Sequence, residues 1–156
     1  MIYFVGAGSG AIDLITVKGK DLLERADWII YAGSLVNPGL LEYAKNECVI
    51  MDSASMTLEE VIDAMVPATE AGKLVVRLHT GDPSVYGAHR EQMDILRKKG
   101  LDFEVVPGVS SFCAAAAALK AEYTLPNVSQ SVIITRMEGR TPVPDRQRIA
   151  DYAAHG

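Results

Sequence analysis

The sequence contains few of the residues from which metal centres and disulfide frameworks are built. Its 156 residues include two cysteines, Cys48 and Cys113, with no CxxC motif and no Cys/His ligand spacing. Two isolated thiols are typical of reduced cysteines packed as small hydrophobic side chains. The three histidines, His79, His89 and His155, also lack the spacing of a structural zinc site. We therefore expect neither a disulfide nor a metal.

Long apolar runs and an excess of basic charge are missing as well. No run reaches the roughly 18 apolar residues of a membrane span, and the start, MIYFVGAGSG, lacks the features of a signal peptide. A formal net charge of −5 argues against a nucleic-acid partner, because phosphate contacts require a basic face. The composition, 49% hydrophobic and 22% charged, is sufficient for a buried core. We expect a cytoplasmic protein with no membrane or nucleic-acid partner.

Short β-branched runs alternate with helix-like segments along most of the chain. This alternation predicts a parallel sheet with helical crossovers. The predicted strands are 2–5, 28–31, 48–51, 73–78 and 103–106, and the predicted helices are 16–26, 57–72, 84–99 and 110–120. The expected fold class is therefore α/β, with a five-stranded, mostly parallel sheet flanked by helices.

The alternating pattern begins again after Asn127. A sixth strand is predicted at 131–136, followed by a polar loop and a brief helix. One strand and one short helix cannot bury a core of their own. We therefore expect two domains: residues 1–126 form the first, and residues 127–156 are the incomplete beginning of a second α/β domain.

A glycine-rich loop, GAGSGA at 6–11, follows the first strand and matches the looser dinucleotide-binding fingerprint GxGxxA. In dinucleotide-binding folds the helix opens at this loop, and an acidic residue after the second strand holds the ribose. Here the helix is predicted to begin near Thr16, and the second strand ends in YAGS without an acid. A nicotinamide oxidoreductase is therefore disfavoured. The loop either faces another ligand or is a tight turn that needs glycine only for its backbone.

Two later loops are expected at the same edge of the sheet as the glycine-rich loop. They are HTGDPSVYG at 79–87 and PGVSSF at 107–112. Ligands of open α/β sheets bind at the carboxyl ends of the strands, so the three loops predict a pocket with backbone amides, hydroxyls and one carboxylate, Asp82. Without a P-loop lysine, the pocket suits an adenosine-like ligand better than a polyphosphate. The alternatives remain a common Gly-Asp-Pro turn and a helix cap at Ser110.

The chain resembles the tetrapyrrole (corrin and porphyrin) methylase family over essentially its whole length. The resemblance lies in the order and spacing of three motifs: VGAG at 5–8, HTGDPSVYG and PGVSSF. Within the family, the chain looks like a member of the branch that acts on C11 of precorrin-4. The motifs that carry this likeness are YAGSLV at 31–36, HTGDPSVYGA, and PGVSSF followed by alanines. The uroporphyrinogen branch reads closer to GGDPFVFGR and PGITS. The resemblance implies an S-adenosylmethionine-dependent methyltransferase of cobalamin biosynthesis that acts on precorrin-4 or cobalt-precorrin-4 and releases S-adenosylhomocysteine. It also implies a homodimer whose protomers hold the cofactor between two α/β domains.

The resemblance assigns site residues. The implied cofactor-binding residues are Gly81, Asp82, Val85, Tyr86, Ser110 and Ser111. The glycine-rich loop of the family faces the tetrapyrrole, so Gly8 and Ser9 are assigned to the substrate.

Arginines are expected around the substrate because guanidinium groups pair bidentately with carboxylates. Arg77 and Arg136 are assigned to the substrate, and Arg90 and Arg140 are further candidates, although a solvated surface position would account for each of the four. No catalytic residue is predicted, since the methyl group of a sulfonium is already activated.

The sequence departs from the family pattern in two ways. Ser9 and Ala11 stand where the family usually has a proline and an acid, which is expected to loosen the glycine-rich loop. Family members are also considerably longer, so the chain is expected to be a fragment or an isolated domain. Other open alternatives are a methylase of the same fold acting on another precorrin, on uroporphyrinogen, or on protein or RNA, and an inactive remnant.

Overall fold

The structure is a computed structural model that describes residues 1–139 and 142–154. Its five strands are β1 (Ile2–Gly6), β2 (Trp28–Tyr31), β3 (Val49–Asp52), β4 (Val75–His79) and β5 (Phe103–Val106). They form one sheet in the order β3-β2-β4-β1-β5, and every pair of neighbours is parallel. The predicted fold class is confirmed.

Five α-helices accompany the strands within the described residues: α1 (Val17–Arg25), α2 (Leu58–Glu70), α3 (Arg90–Lys98), α4 (Ser111–Leu119) and α5 (Ile149–Ala153). Short 3-10 helices lie at Ile12–Leu14, Gly33–Leu35, Pro38–Tyr43 and Asp145–Gln147. At the start of α1, the Thr16 hydroxyl accepts a hydrogen bond from the Gly19 amide at 3.0 Å. At the start of α2, Thr57 and Glu60 form a reciprocal capping box. These side chains satisfy amides that the helices leave unpaired.

Helices cover both faces of the sheet. Leu22 and Leu23 of α1 pack on one face, whereas Met65 of α2 and Leu96 of α3 pack on the other. Because β4 is central and covered on both sides, all five of its residues are buried. Burial on both faces is typical of the apolar residues of a central parallel strand, and here it also encloses Arg77 and His79.

The chain reverses its direction of winding between β1 and β4. After β1 it crosses to β2 on one side, and after β4 it crosses to β5 on the other side. The helices that follow β1 and β4 therefore lie on opposite faces of the sheet. Such a switch point opens a crevice at the carboxyl ends of the two neighbouring strands. The loops after β1 and β4 begin at this crevice.

Two predictions about secondary structure are wrong. The helix predicted at 84–99 begins only at Arg90, because the Ser84 amide and hydroxyl bind the Asp82 carboxylate, and Tyr86 and Ala88 take φ angles of 56° and 48°. A right-handed helix cannot contain residues with positive φ. No residue of the strand predicted at 131–136 is in a strand. A strand requires a hydrogen-bonded neighbour, and the described part of residues 116–156 provides none for it.

The chain divides into two compact units, residues 1–115 and residues 116–156. The first unit contains the whole sheet and the three loops that matter for function. The division falls within α4, so the domain boundary predicted after residue 126 stays a prediction. Among the residues that the structure describes, no helix is long and apolar enough to cross a membrane.

Candidate functional site

Three loops follow β1, β4 and β5 at the carboxyl edge of the sheet: the glycine loop (residues 6–11), the Gly-Asp-Pro loop (residues 80–89) and the Pro-Gly loop (residues 107–110). The first two are joined by backbone hydrogen bonds. The Gly81 amide donates to the Gly8 carbonyl at 2.8 Å, and the Gly8 amide donates to the Gly81 carbonyl at 3.3 Å. The Gly8 amide is thus engaged within the protein, unlike the free amides with which a phosphate-binding loop holds its ligand.

The glycines of the three loops allow very close packing. A Cβ atom on Gly6 would lie 2.6 Å from the Gly81 carbonyl oxygen and 2.7 Å from the Gly108 Cα. A Cβ atom on Gly108 would lie 2.2 Å from the same carbonyl oxygen. Any side chain at either position would push the loops apart, so packing requires glycine there.

The Asp82 carboxylate binds two of these loops. Its Oδ2 accepts a hydrogen bond from the Gly108 amide at 2.9 Å, and its Oδ1 accepts from the Ser84 amide at 2.8 Å and from the Ser84 hydroxyl. Partial burial raises the pKa of Asp82, but these hydrogen bonds and the positive charge of His89 outweigh burial and hold the pKa below its ordinary value. The carboxylate is therefore ionised at neutral pH.

A cavity of about 290 Å³ opens beside the three loops, at the lower end of the size range of ligand sites. It is lined by Gly8, Ser9, Leu35, Thr80, Gly81, Asp82, Val85, Tyr86, Ser110 and Ser111. The structure thus brings together all six residues predicted to bind the cofactor and the two glycine-loop residues assigned to the substrate. Sequence reasoning missed Leu35 and Thr80. Their only signal is their position, since both lie close after the carboxyl end of a strand.

The lining of the cavity is polar but almost uncharged. Among the residues described around it, Asp82 is the one charged side chain, and five others carry hydroxyl groups. The Ser9 hydroxyl oxygen is buried and has no hydrogen-bond partner in the protein. Leu35 and Val85 supply apolar surface. This combination suits a neutral or cationic ligand with hydrogen-bonding groups, whereas a polyphosphate would meet a carboxylate and no cation.

Arg77 is not part of this cavity. It lies on β4 and is buried, and its Nη1 donates to the Ile30 carbonyl at 3.1 Å while its Nε has no partner. Burial lowers the pKa of Arg77 to about 10. The alternative that Arg77 is a solvated surface residue is wrong, because β4 is the central strand. Its role in substrate binding stays a prediction.

The other candidate arginines lie elsewhere. Arg90 begins α3 and pairs with Asp94 at 3.2 Å. Arg136 belongs to the second unit, where it donates to the carbonyls of Met137 and Pro142 and lines a separate cavity of about 420 Å³. Arg140 lies outside the described residues. The substrate-binding role of Arg136 also stays a prediction.

His79, at the end of β4, lies under the Gly-Asp-Pro loop and is 2% exposed. Its ring centroid is 5.6 Å from that of His89 and 5.9 Å from that of Phe4. Burial, followed by the positive charges of Arg77 and His89, lowers the pKa of His79 to about 3. Its ring is therefore neutral at physiological pH. Among the described residues, no group of three or more possible ligands could hold a metal ion.

Comparisons with known proteins agree with this geometry. The family model described as Tetrapyrrole (Corrin/Porphyrin) Methylases matches residues 1–156. The chain is 61% identical over 154 residues to a cobalt-precorrin-4 C(11)-methyltransferase of Methanocaldococcus jannaschii and 51% identical over 154 residues to one of Priestia megaterium. Each alignment covers 99% of this chain and 60% of the relative. The chain therefore spans about 60% of the length of these relatives.

Solved structures give the same result. The X-ray structure of a cobalt-precorrin-4 methyltransferase, a cobalamin biosynthetic enzyme, is 51% identical and superposes with a TM-score of 0.95, covering 99% of this chain and 64% of that one. A uroporphyrin-III C-methyltransferase from Thermus thermophilus, solved with S-adenosylhomocysteine, is 36% identical, with a TM-score of 0.63, covering 74% of this chain and 47% of that one. The sheet, the three loops and these matches together show that the chain belongs to the tetrapyrrole (corrin/porphyrin) methylase family.

Proposed function

We propose that the chain is the cofactor-binding part of an S-adenosylmethionine-dependent methyltransferase that methylates C11 of precorrin-4 or cobalt-precorrin-4 in cobalamin biosynthesis. One observation carries the proposal: eight residues assigned to the cofactor or the substrate line a single cavity at the switch point of the sheet. The names of the two relatives at 61% and 51% identity support this particular reaction.

A comparison within one organism supports the precorrin-4 branch over its neighbour. The cobalt-precorrin-4 C(11)-methyltransferase of Priestia megaterium is 51% identical over 154 residues. The uroporphyrinogen-III C-methyltransferase of the same organism is 42% identical over only 122 residues. The second candidate is therefore methylation of uroporphyrinogen, and a panel of precorrins and uroporphyrinogen III assayed for methyl transfer would separate the two.

The cavity fits S-adenosylmethionine in its donor set. The unpartnered Ser9 hydroxyl and the other hydroxyl-bearing residues suit the ribose and amino-acid groups. The ionised Asp82 makes the site favourable for a cationic sulfonium, and the cavity has no lysine or arginine in its described lining. The residues that would hold the cofactor are Gly81, Asp82, Val85, Tyr86, Ser110 and Ser111.

The chemistry of this reaction asks the protein for position rather than for a nucleophile. Bound S-adenosylmethionine supplies a methyl group that is already activated by the sulfonium. The loops hold the cofactor in one orientation through their fixed backbones. Holding two reactants in line can remove up to about 7–11 kcal/mol from a barrier. Leu35 and Val85 give the cavity apolar surface, and an apolar surrounding favours the loss of charge as the methyl group moves.

The remaining parts of the proposal concern the substrate and the assembly. Gly8, Ser9, Arg77 and Arg136 are proposed to contact the tetrapyrrole, and the protein is proposed to act as a cytoplasmic homodimer. Arg77 can contact the tetrapyrrole only if its buried guanidinium becomes accessible. Sedimentation of the chain with and without S-adenosylhomocysteine would test the dimer.

The central experiment is a calorimetric titration of the chain with S-adenosylhomocysteine. We expect saturable one-to-one binding of S-adenosylhomocysteine. NADH should not bind, because β2 ends in YAGS with no acidic residue to hold an NAD ribose. ATP should not bind, because the described lining of the cavity has no lysine or arginine to pair with a triphosphate. Circular dichroism of the same sample verifies that the chain is folded. A folded chain that binds NADH but not S-adenosylhomocysteine would contradict the proposal and favour an oxidoreductase. A folded chain that binds neither ligand would show that this chain is not the cofactor-binding part.

A further inference from the structure

The hydrogen bonds of Asp82 are directed within the protein. An ionised carboxylate has about four lone-pair sites, and three of them accept from the Ser84 amide, the Ser84 hydroxyl and the Gly108 amide. Both oxygens are engaged, and the two oxygens bind different loops. Oδ1 closes the local turn that continues into Pro83 and Ser84, whereas Oδ2 reaches the Pro-Gly loop 26 residues later in the chain.

The hydrogen bond from the Gly108 amide to Asp82 Oδ2 matters because it joins the Gly-Asp-Pro loop to the segment that leads to the serines of the cavity. Gly108 packs against the Gly81 carbonyl so closely that no side chain fits between them. Ser110 and Ser111, which line the cavity, follow Gly108 by two and three residues. The distance between the Gly-Asp-Pro loop and these two serines therefore depends on the position of Gly108. Without the carboxylate, the part-buried Gly108 amide would lose its acceptor, which is costly for a group shielded from water.

We infer that Asp82 is a positioning residue: its carboxylate clamps the Pro-Gly loop to the Gly-Asp-Pro loop and so fixes the cofactor cavity, and it makes no direct hydrogen bond to the cofactor. The inference rests on the proposed cofactor site and changes the role of one of its residues. The depressed pKa of Asp82 agrees with it, because amides of the protein itself stabilise the charge. The negative charge still favours a cationic ligand at a distance.

The variant Asp82→Asn tests the clamp. An asparagine has one oxygen, and its NH₂ group is a donor, so in either orientation one of the two loops loses its acceptor. We expect the Gly108 amide to exchange faster with solvent in the ligand-free protein. We also expect the affinity for S-adenosylhomocysteine to fall by about tenfold or more, as for loss of a hydrogen bond to a charged group.

Asp52→Asn is the matched control. Asp52 also ends a strand, and its Oδ1 also accepts from the amide two residues later, that of Ala54, at 2.8 Å. The Asp52 carboxylate also binds the Tyr31 side chain of the neighbouring strand β2, but Asp52 does not line the cavity. We expect Asp52→Asn to change neither the exchange of Gly108 nor the affinity for S-adenosylhomocysteine.

Ligand analogues distinguish a clamp from a direct ligand. The loss of affinity caused by Asp82→Asn is measured for S-adenosylhomocysteine, for 5′-methylthioadenosine, which lacks the amino-acid group, and for 2′,3′-dideoxy-5′-methylthioadenosine, which also lacks the ribose hydroxyls. A clamp weakens the two uncharged analogues by the same factor, and it weakens S-adenosylhomocysteine, whose ammonium group also responds to the lost charge, by at least that factor. If the loss disappears for an analogue that lacks one group, Asp82 binds that group directly and the inference is overturned.

Two further outcomes would also overturn the inference. One is unchanged exchange of the Gly108 amide in Asp82→Asn. The other is a lower unfolding midpoint with unchanged affinity, which would indicate a purely structural role. If the wild-type chain binds no S-adenosylhomocysteine, the proposed function fails instead. The exchange of Gly108 in the ligand-free protein then decides by itself whether the carboxylate holds the two loops together.

Discussion

The neutral, buried His79 predicts a specific dependence of stability on pH. The perturbation is acidification from pH 8 to pH 5, applied to the wild type and to His79→Gln. The pKa of His79 is about 3 in the folded chain, against an ordinary value of 6.5. Below pH 6.5 the unfolded chain therefore binds a proton that the folded chain does not. Stability is complete above pH 6.5 and is lost progressively as the pH falls towards 3.

The size of the effect follows from the two pKa values. At pH 5 the unfolded chain is favoured by protonation of this side chain by about 2 kcal/mol, whereas at pH 8 the corresponding energy is close to zero. This is a large part of the 5–15 kcal/mol that typically separates folded from unfolded domains. His79→Gln cannot take up the proton, yet its amide group can still donate where the His79 ring binds the Gly87 carbonyl.

Urea unfolding followed by circular dichroism at pH 8, 7, 6 and 5 measures the effect. We expect the wild type to lose about 2 kcal/mol more than His79→Gln between pH 8 and pH 5, whatever their relative stability at pH 8. The contributions of the carboxylates are common to both proteins and cancel in the difference, whereas the effect of the His89 charge on His79 exists only in the wild type and is part of the measured effect. Two parallel curves would refute the reasoning, since they would mean that His79 titrates alike in the folded and unfolded chains.

Three further predictions concern the site and the core beneath it. Gly108→Ala places a Cβ 2.2 Å from the Gly81 carbonyl oxygen. We expect the free energy of unfolding to fall by about 1–3 kcal/mol and the binding of S-adenosylhomocysteine to become unmeasurable. Gly139→Ala is the control, because its added Cβ meets no atom within 4 Å. Arg77→Met removes a buried cation, so urea unfolding should show unchanged stability or a gain of about 1 kcal/mol. A clear loss of stability would contradict this and show that the contacts of the guanidinium, such as its hydrogen bond to the Ile30 carbonyl, outweigh the cost of its burial. Ser9→Ala should leave the ligand-free chain equally stable in urea but weaken S-adenosylhomocysteine or tetrapyrrole binding about tenfold in calorimetry; unchanged affinity for both ligands would remove Ser9 from the site.

The sheet was predictable because its strands are buried runs between clear breaks. β2 and β5 have the predicted bounds, and the other three strands differ from them by at most two residues. The burial of Arg77 was not predictable from the same runs. A charged residue within KLVVRLH is compatible with an edge strand or a central strand, and the order of strands decides between them. That order depends on which helices cover which face, information that is spread over the whole chain.

The start of α3 shows a different limit. Ser84 is a good helix cap, and the sequence from there to Lys99 has no strong breaker except Gly87. In the structure Ser84 binds the carboxylate of Asp82 instead. Tyr86 and Ala88 then take positive φ angles, which nothing in their side chains favours. Local propensity predicts a helix here, and the competing hydrogen bonds of the loop override it.

The location of the site could be predicted because it follows from topology, whereas the role of each residue in it could not. Glycine, serine and aspartate at the ends of neighbouring parallel strands have to meet at one edge of the sheet. Whether an oxygen or an amide there faces a ligand depends on the bonds it already makes in the protein. The Gly8 amide is bound to Gly81, and both oxygens of Asp82 are bound to amides, but the Ser9 hydroxyl has no partner. A motif therefore predicts which residues surround a ligand, and the hydrogen bonds within the protein decide which of them remain available to bind it.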